Sequence, residues 1–205
     1  MNSQNPSLTL WIKDFKYLFS NRTFLAILVI FSLTKGSFIA LGGVLVSVLN
    51  NLDYSLLFGS ITISSGVFLG LIGSLVFSRI FGQSQYKRLS LCVIIGISLL
   101  CNTLSFLFLS LQIGAAFITM YSLTSLLWYL AIPLMLEFAA KAKFQASKLS
   151  VNGFLMGCAM LLAFFVEFLS GFLLKKEEGS FIILLIVIVF NLTCLIVLNK
   201  LLKLD

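Results

Sequence analysis

The sequence predicts an all-α membrane protein, a bundle of six transmembrane helices. Three observations predict this class: an apolar composition, six apolar stretches that are each long enough to cross a bilayer, and basic residues confined largely to alternate connections between those stretches. The last observation also predicts which side of the membrane holds the chain termini.

The composition excludes an ordinary soluble domain. Of the 205 residues, 60% are hydrophobic and 10% are charged, and the mean hydropathy is +1.12. Soluble domains carry about 25% charged residues. The net charge of +7 does not indicate a nucleic-acid partner, because most of the basic residues lie in short loops beside apolar stretches, where they set orientation in the lipid bilayer.

The residue inventory argues against an enzyme. The chain contains no histidine, so histidine-based metal sites, Ser-His-Asp or Cys-His catalysis and the commonest axial ligand of haem are excluded. The four cysteines lie inside apolar stretches without a Cys-x-x-Cys pair, as buried apolar residues do. We expect no metal and no cofactor.

Six continuous apolar stretches predict the spans. A helix needs about 20 residues to cross the hydrocarbon core, and the stretches cover residues 23–49, 55–78, 89–110, 112–136, 149–174 and 180–199. The predicted organisation is a cytosolic N-terminal segment over 1–22, the bundle over 23–199 and a cytosolic tail over 200–205. Within the first segment, residues 8–19 carry Trp11, Phe15, Leu18 and Phe19 at helical spacing. This predicts a short interfacial helix, the alternative being an extension of the first span.

The loop charges predict the orientation. One side of the membrane receives Lys13, Lys16, Arg22, Arg79, Lys87, Arg88, Lys141, Lys143, Lys148, Lys200 and Lys203, and the other receives only Lys175 and Lys176. The side richer in Lys and Arg is cytosolic or topologically equivalent. Both termini are therefore expected there, as an even number of spans requires.

Two charges are predicted at membrane depth. Lys35 lies about 18 Å along the first span and Glu167 about 25 Å along the fifth, from the helical rise. A charge at the bilayer centre costs about 2.5–3.5 kcal/mol, so it normally faces a partner, a cavity or a pathway. If the two helices are neighbours, these charges can neutralise each other. The alternatives left open are a structural role and a role in ion coupling or substrate recognition.

Other residues in the spans have structural and functional interpretations. Gly66 and Gly70 have the spacing that lets helices approach closely. Tyr121, Trp128 and Tyr129 are aromatic residues near mid-membrane, for core packing or, if they line a cavity, for holding a quaternary ammonium at about 2 kcal/mol. At the cytosolic end of the fourth span, a charge network is predicted from Glu137, Lys141 and Lys143.

Three stretches carry a family resemblance: LFSNRTF, KGSFIAL and YLAIPLMLEFAAKAKF. Over residues 18–198 the chain resembles the C-terminal six-helix half of major facilitator superfamily transporters, and more closely the feline leukaemia virus subgroup C receptor-related proteins. The matching positions in and after the third stretch are Pro133, Leu134, Glu137, Ala139, Ser147, Gly153, Leu155 and Gly171. The resemblance implies half of that fold, a three-plus-three inverted repeat.

The departures from the family concern the cargo. The positions through which relatives hold choline or ethanolamine fall on Ile39 and Met160, which offer neither a polar contact nor an aromatic face. The family's second acid falls on Lys141 and a proline on Gln145. Haem, the other substrate associated with the family, finds no histidine here. Choline, ethanolamine and haem are thus implied by resemblance only.

Two functions follow as expectations. The first is a multi-pass transporter, or half of one, that moves a small organic solute by alternating access and is completed by a second six-helix half, either a homodimer or another chain. Its substrate-pathway candidates are Thr34, Lys35, Ile39, Tyr121, Trp128, Met160 and Glu167. The second is a degenerate, non-transporting half-transporter that serves as a structural membrane subunit of a larger complex. The fold, Lys35 and the glycine-rich helix faces favour the first, whereas the short length, the Met1 start and the residues at the two cargo positions favour the second.

Overall fold

The computed structural model describes residues 6–81, 87–141, 146–176 and 178–202, with side chains over 12–75, 90–137, 139, 146–176 and 178–197. These residues form only helices and turns. The helices are α1 (Pro6–Ser20), α2 (Arg22–Asn50), α3 (Leu56–Phe81), α4 (Lys87–Ser110), α5 (Gly114–Lys141), α6 (Lys148–Leu173) and α7 (Gly179–Leu202). Helices α2 to α7 are long and apolar enough to cross a membrane. The predicted helical membrane bundle with six spans is confirmed.

A break at Asn21 separates α1 from the first span. Its backbone is extended, with φ −93° and ψ 113°. The Asn21 side-chain oxygen accepts hydrogen bonds from the backbone N–H groups of Thr23 and Phe24, at 3.0 and 3.1 Å. This is an N-cap, so α2 begins anew after α1 ends. The expected short helix is present, and a continuous extension of the first span is excluded.

Helix α1 docks on the start of α6. The Asp14 carboxylate accepts hydrogen bonds from the Ser147 backbone N–H at 3.2 Å and from the Ser150 hydroxyl at 2.6 Å. Phe15 packs on Phe154 of α6, with ring centroids 5.4 Å apart. Leu18 is completely buried. The contact therefore combines an acidic cap at a helix N-terminus with apolar packing.

Removing the Asp14 carboxylate is expected to release α1 from α6. The hydrogen bond from Ser150, then that from Ser147, holds the pKa of Asp14 below its ordinary value. Because the pKa is depressed in the folded protein, the contact contributes stability above the unfolded pKa of about 3.9 and loses it as the pH falls through the folded pKa. Asp14→Ala should accelerate tryptic cleavage at Lys13 and Lys16 at neutral pH.

Ser20→Ala is the matched control for that cleavage experiment. The Ser20 hydroxyl bonds only within α1, to the Lys16 carbonyl at 2.8 Å. Its removal should leave the cleavage rate unchanged. Equal rates for Asp14→Ala and the unsubstituted protein would contradict the docking of α1.

Helix α2 is the central helix of the bundle. It contacts α1, α3, α5, α6 and α7. The most extensive pairings are α3 with α5, α4 with α5, and α2 with α6, while α7 lies against α2 and α4. Helices α5 and α6 meet only slightly. Part of α2 is consequently left uncovered between them.

Glycines set the closest approaches in two pairs of parallel helices. A Cβ added to Gly36 of α2 would lie 2.8 Å from the Ala159 carbonyl oxygen of α6. A Cβ on Gly66 of α3 would lie 2.6 Å from the Ser125 hydroxyl of α5, and one on Gly70 would overlap the Tyr129 ring. The predicted close packing at Gly66 and Gly70 is confirmed.

The described interior has two large apolar clusters separated by polar residues, and a small third cluster of Ala40, Ala163 and Val166 between α2 and α6. One cluster, at the α1 end of the bundle, includes Phe31, Ile95 and Leu130. The other, at the opposite end, includes Leu45 and Phe117. Between these two large clusters lie buried polar side chains of α2, α4, α5 and α7. We call them the polar layer, and they are Thr34, Ser37, Ser98, Asn102, Ser122, Thr124, Ser125 and Asn191.

Candidate functional site

One face of α2 remains partly exposed, and it carries Lys35. This open face, at helical spacing, consists of Ser32, Lys35, Ile39, Gly42 and Gly43. On one side of it Gly36 touches α6. On the other side Phe38 stacks on Trp128 of α5. The open face is therefore the floor of a groove whose walls are α5 and α6.

The aromatic residues of α5 form the wall of this groove by packing on α2. The Phe38 and Trp128 rings are stacked, with centroids 5.8 Å apart and planes 13° from parallel. Tyr129 meets Phe38 edge to face, at 5.5 Å. Trp128 is only 4% exposed, and Tyr121 is buried beside Phe117. This arrangement matches the core-packing interpretation, since a quaternary ammonium would need an uncovered ring.

Glu167 lies next to α2 but at a different height from Lys35. A Cβ on Gly43 would lie 2.6 Å from the Glu167 Oε1 atom. Gly43 is eight residues beyond Lys35, a rise of about 12 Å. No ion pair joins Lys35 to Glu167 in the part of the chain that the structure describes. The two helices are neighbours, as the pairing hypothesis requires, but their register keeps the charges apart.

Two donor groups on the open face lack acceptors. The Ser32 hydroxyl is buried and forms no hydrogen bond. Lys35 is partly exposed and forms neither a hydrogen bond nor an ion pair with any described residue. Serine and lysine side chains both donate hydrogen bonds, and both lie within one helical turn of each other. This half of the groove therefore presents positive charge at membrane depth, with the unpaired Ser32 hydroxyl buried beside it.

The remaining candidates divide between core and surface. Thr34 is buried, with its hydroxyl donating to the Ile30 carbonyl at 2.6 Å. Ile39 lies on the open face, and Met160 is 53% exposed on α6. Of the predicted pathway residues, Lys35, Ile39 and Glu167 thus border the groove, whereas Thr34, Tyr121 and Trp128 face the core.

The predicted charge network at the end of α5 is described only in part. Glu137 is partly buried there. The Lys141 side chain and Lys143 lie outside the described residues. The network remains a prediction.

A second polar feature was not predicted. Asn102, Ser105 and Tyr121 line a small cavity together with apolar residues of α2, α4, α5 and α7. Asn191 is completely buried in the polar layer, and neither its side-chain oxygen nor its nitrogen has a hydrogen-bond partner in the described structure. The signal for both is an asparagine inside an apolar stretch, where an amide is costly unless it is paired.

No protein-family model matches the chain, and no curated protein matches it. The groove geometry and the helix pairing therefore carry the functional argument.

Proposed function

We propose that the chain is one half of an alternating-access carrier for a small organic solute. A second six-helix unit, either another copy or another chain, completes it. The observation that carries this proposal is the groove over α2, which holds a lysine at membrane depth and is left open between α5 and α6. A carrier of this type binds its cargo near the midplane, between two such units.

The helix pairing supports an inverted repeat of α2–α4 and α5–α7. Exchanging the two triplets converts the α3–α5 pair into α6–α2 and the α4–α5 pair into α7–α2, and all four pairs occur. The α2–α5 and α4–α7 pairs convert into themselves. The α2–α3 pair converts into the less extensive α5–α6 pair, and the small α6–α7 contact has at most a weaker counterpart between α3 and α4 in the described ranges. Such crossed pairing is what a three-plus-three repeat produces.

The orientation of the proposed unit follows from the charges. Both termini and the basic loops would lie on the cytosolic side, or its equivalent. Two units related by an axis along the membrane normal share this orientation, so a parallel homodimer satisfies it. Their open faces would then line one cavity.

The assembly state tests this proposal. The protein, extracted in mild detergent, should have a mass above the 22.7 kDa of one chain, once bound detergent is subtracted. Gly42→Cys on the open face, where an added Cβ meets no atom within 4 Å in the single chain, should be protected from labelling by lipid-soluble reagents, in contrast to Phe168→Cys at the 56% exposed position on α6. A lone chain with equal labelling at both positions would contradict the proposal.

The second candidate, a structural subunit without transport, is favoured by one observation. The two positions that the resemblance links to cargo carry Ile39, on the groove floor, and Met160, which is 53% exposed on α6. If the chain is such a structural subunit, other subunits would pack on the open face and exclude water from it. An aqueous cavity over α2 distinguishes the carrier from this alternative.

A further inference from the structure

We propose that the groove around Lys35 is an anion site, so that the cargo presents a carboxylate or a phosphate to α2. This inference rests on the proposed carrier function and specifies its cargo class. It reverses the charge of the choline or ethanolamine that the family resemblance implies.

Lys35 carries an uncompensated charge. Lys35 lies in the middle of a 29-residue span and has no ion-pair partner among the described residues. The Glu167 carboxylate is held against Gly43, about 12 Å farther along the helix. Glu137, the acid of α5, does not pair with Lys35 either. A charge at this depth is stabilised by a counter-charge, and the groove is the side from which one can arrive.

Lys35 and Ser32 are neighbouring hydrogen-bond donors. Lys35 offers an ammonium, and the Ser32 hydroxyl, whose oxygen is buried without a partner, becomes available when its side chain turns toward the groove. An ammonium and a hydroxyl bind carboxylate or phosphate oxygens, with the charged hydrogen bond the stronger of the two. A buried hydroxyl without an acceptor is costly, so a ligand that supplies one gains affinity.

The groove around Lys35 does not suit a cation. The Trp128 ring is 4% exposed and covered on one face by Phe38, which lies three residues from Lys35. The Trp128 ring offers a quaternary ammonium no open face, and Lys35 places a like charge one turn from Phe38.

The groove also has room for a ligand beyond Lys35. A Cβ added to Gly42 would meet no atom within 4 Å. Gly42 is seven residues from Lys35, which is about two turns along the same helix face. An anion at Lys35 can therefore extend along α2 toward Gly42.

Charge-selective labelling tests the site. The reporter is Ile39→Cys, one turn from Lys35 on the open face, in the assembled protein in native membranes. Its reaction rates are measured with an anionic sulfonatoethyl thiosulfonate and a cationic trimethylammonium-ethyl thiosulfonate. The ratio of the anionic to the cationic rate should fall about tenfold when Lys35→Gln is added, and Lys35→Arg should preserve it. Inorganic phosphate should slow the anionic reagent in the Ile39→Cys protein but not in the double variant with Lys35→Gln.

Controls separate the possible failures. The unsubstituted protein gives the background from its own four cysteines, Cys92, Cys101, Cys158 and Cys194. A second reporter, Gly42→Cys, adds a side chain where there is space and should show a smaller effect of Lys35. Labelling of both reporters with a ratio that ignores Lys35→Gln would overturn the anion site and leave the carrier standing. No labelling at either reporter would overturn both proposals, because the groove would then be dry.

Discussion

Gly36→Ala is expected to destabilise the bundle by about 2–3 kcal/mol, the upper part of the range for overpacked interiors. The new methyl group would lie 2.8 Å from the Ala159 carbonyl oxygen and 3.0 Å from the Leu162 side chain. A change of the Leu162 rotamer moves its Cδ2 atom but not its Cβ atom, and a backbone carbonyl moves only with its helix. The substitution must therefore push α6 away from α2. Unfolding in mixed detergent micelles with increasing dodecyl sulfate measures the loss.

Two neighbouring glycines provide matched controls for that experiment. Gly42→Ala adds a methyl group where no atom lies within 4 Å, so it should be neutral or stabilise by up to about 1 kcal/mol through helix propensity. At Gly43 the added group meets the Glu167 carboxylate, the end of a flexible side chain, and the cost should be intermediate. Equal stabilities for Gly36→Ala and Gly42→Ala would contradict the α2–α6 register.

The number and limits of the spans could be predicted because they depend on local hydrophobicity. The predicted stretch 55–78 corresponds to Leu56–Phe81, and 149–174 corresponds to Lys148–Leu173. The bilayer requires a minimum apolar length, and that length is visible in sequence. The break before α2 also has a local cause, the Asn21 cap.

The packing of the spans could not be predicted in the same way. In a membrane both the core-facing and the lipid-facing side chains are apolar, so helical periodicity does not separate them. Phe117 is 1% exposed and Phe168 is 56% exposed, yet both are phenylalanines in apolar stretches. The relative height of neighbouring helices is equally hard to predict. Counting along the spans places Lys35 and Glu167 about 7 Å apart in height. The contact of Glu167 with Gly43 makes this offset about 12 Å.

From the chemistry of its residues, the groove could be predicted only from Lys35, its most polar residue. Lys35 is conspicuous in an apolar stretch, whereas Ser32 resembles any serine that bonds to its own helix. The missing hydrogen bond of Ser32 depends on its side-chain conformation, which sequence does not specify. Likewise, the role of Asp14 as a hydrogen-bond acceptor becomes visible only when α6 is placed beside α1.

Asn191→Leu is expected to stabilise the isolated protein by about 1–2 kcal/mol. The Asn191 side chain is completely buried, and neither of its polar atoms has a partner in the described structure. An unpaired buried amide costs about 1–3 kcal/mol, and leucine has a similar shape without that cost. Asn191→Ala removes the same amide but leaves a cavity, so it should stabilise less than leucine does. The same dodecyl sulfate titration measures both variants.

Whether Asn191→Leu raises or lowers stability shows whether the buried amide in the polar layer is paired. A gain of stability would mean that the amide is unpaired in the folded protein, as the structure has it. A loss above about 1 kcal/mol would contradict this, since it requires that water or a partner helix pairs with the amide. Asn102→Leu is the control, because Asn102 borders the small cavity and is 6% exposed, so its substitution should change stability less. If both asparagines prove stabilising, the polar layer is hydrated, and water then reaches the interior behind α2 as well as the groove in front of it.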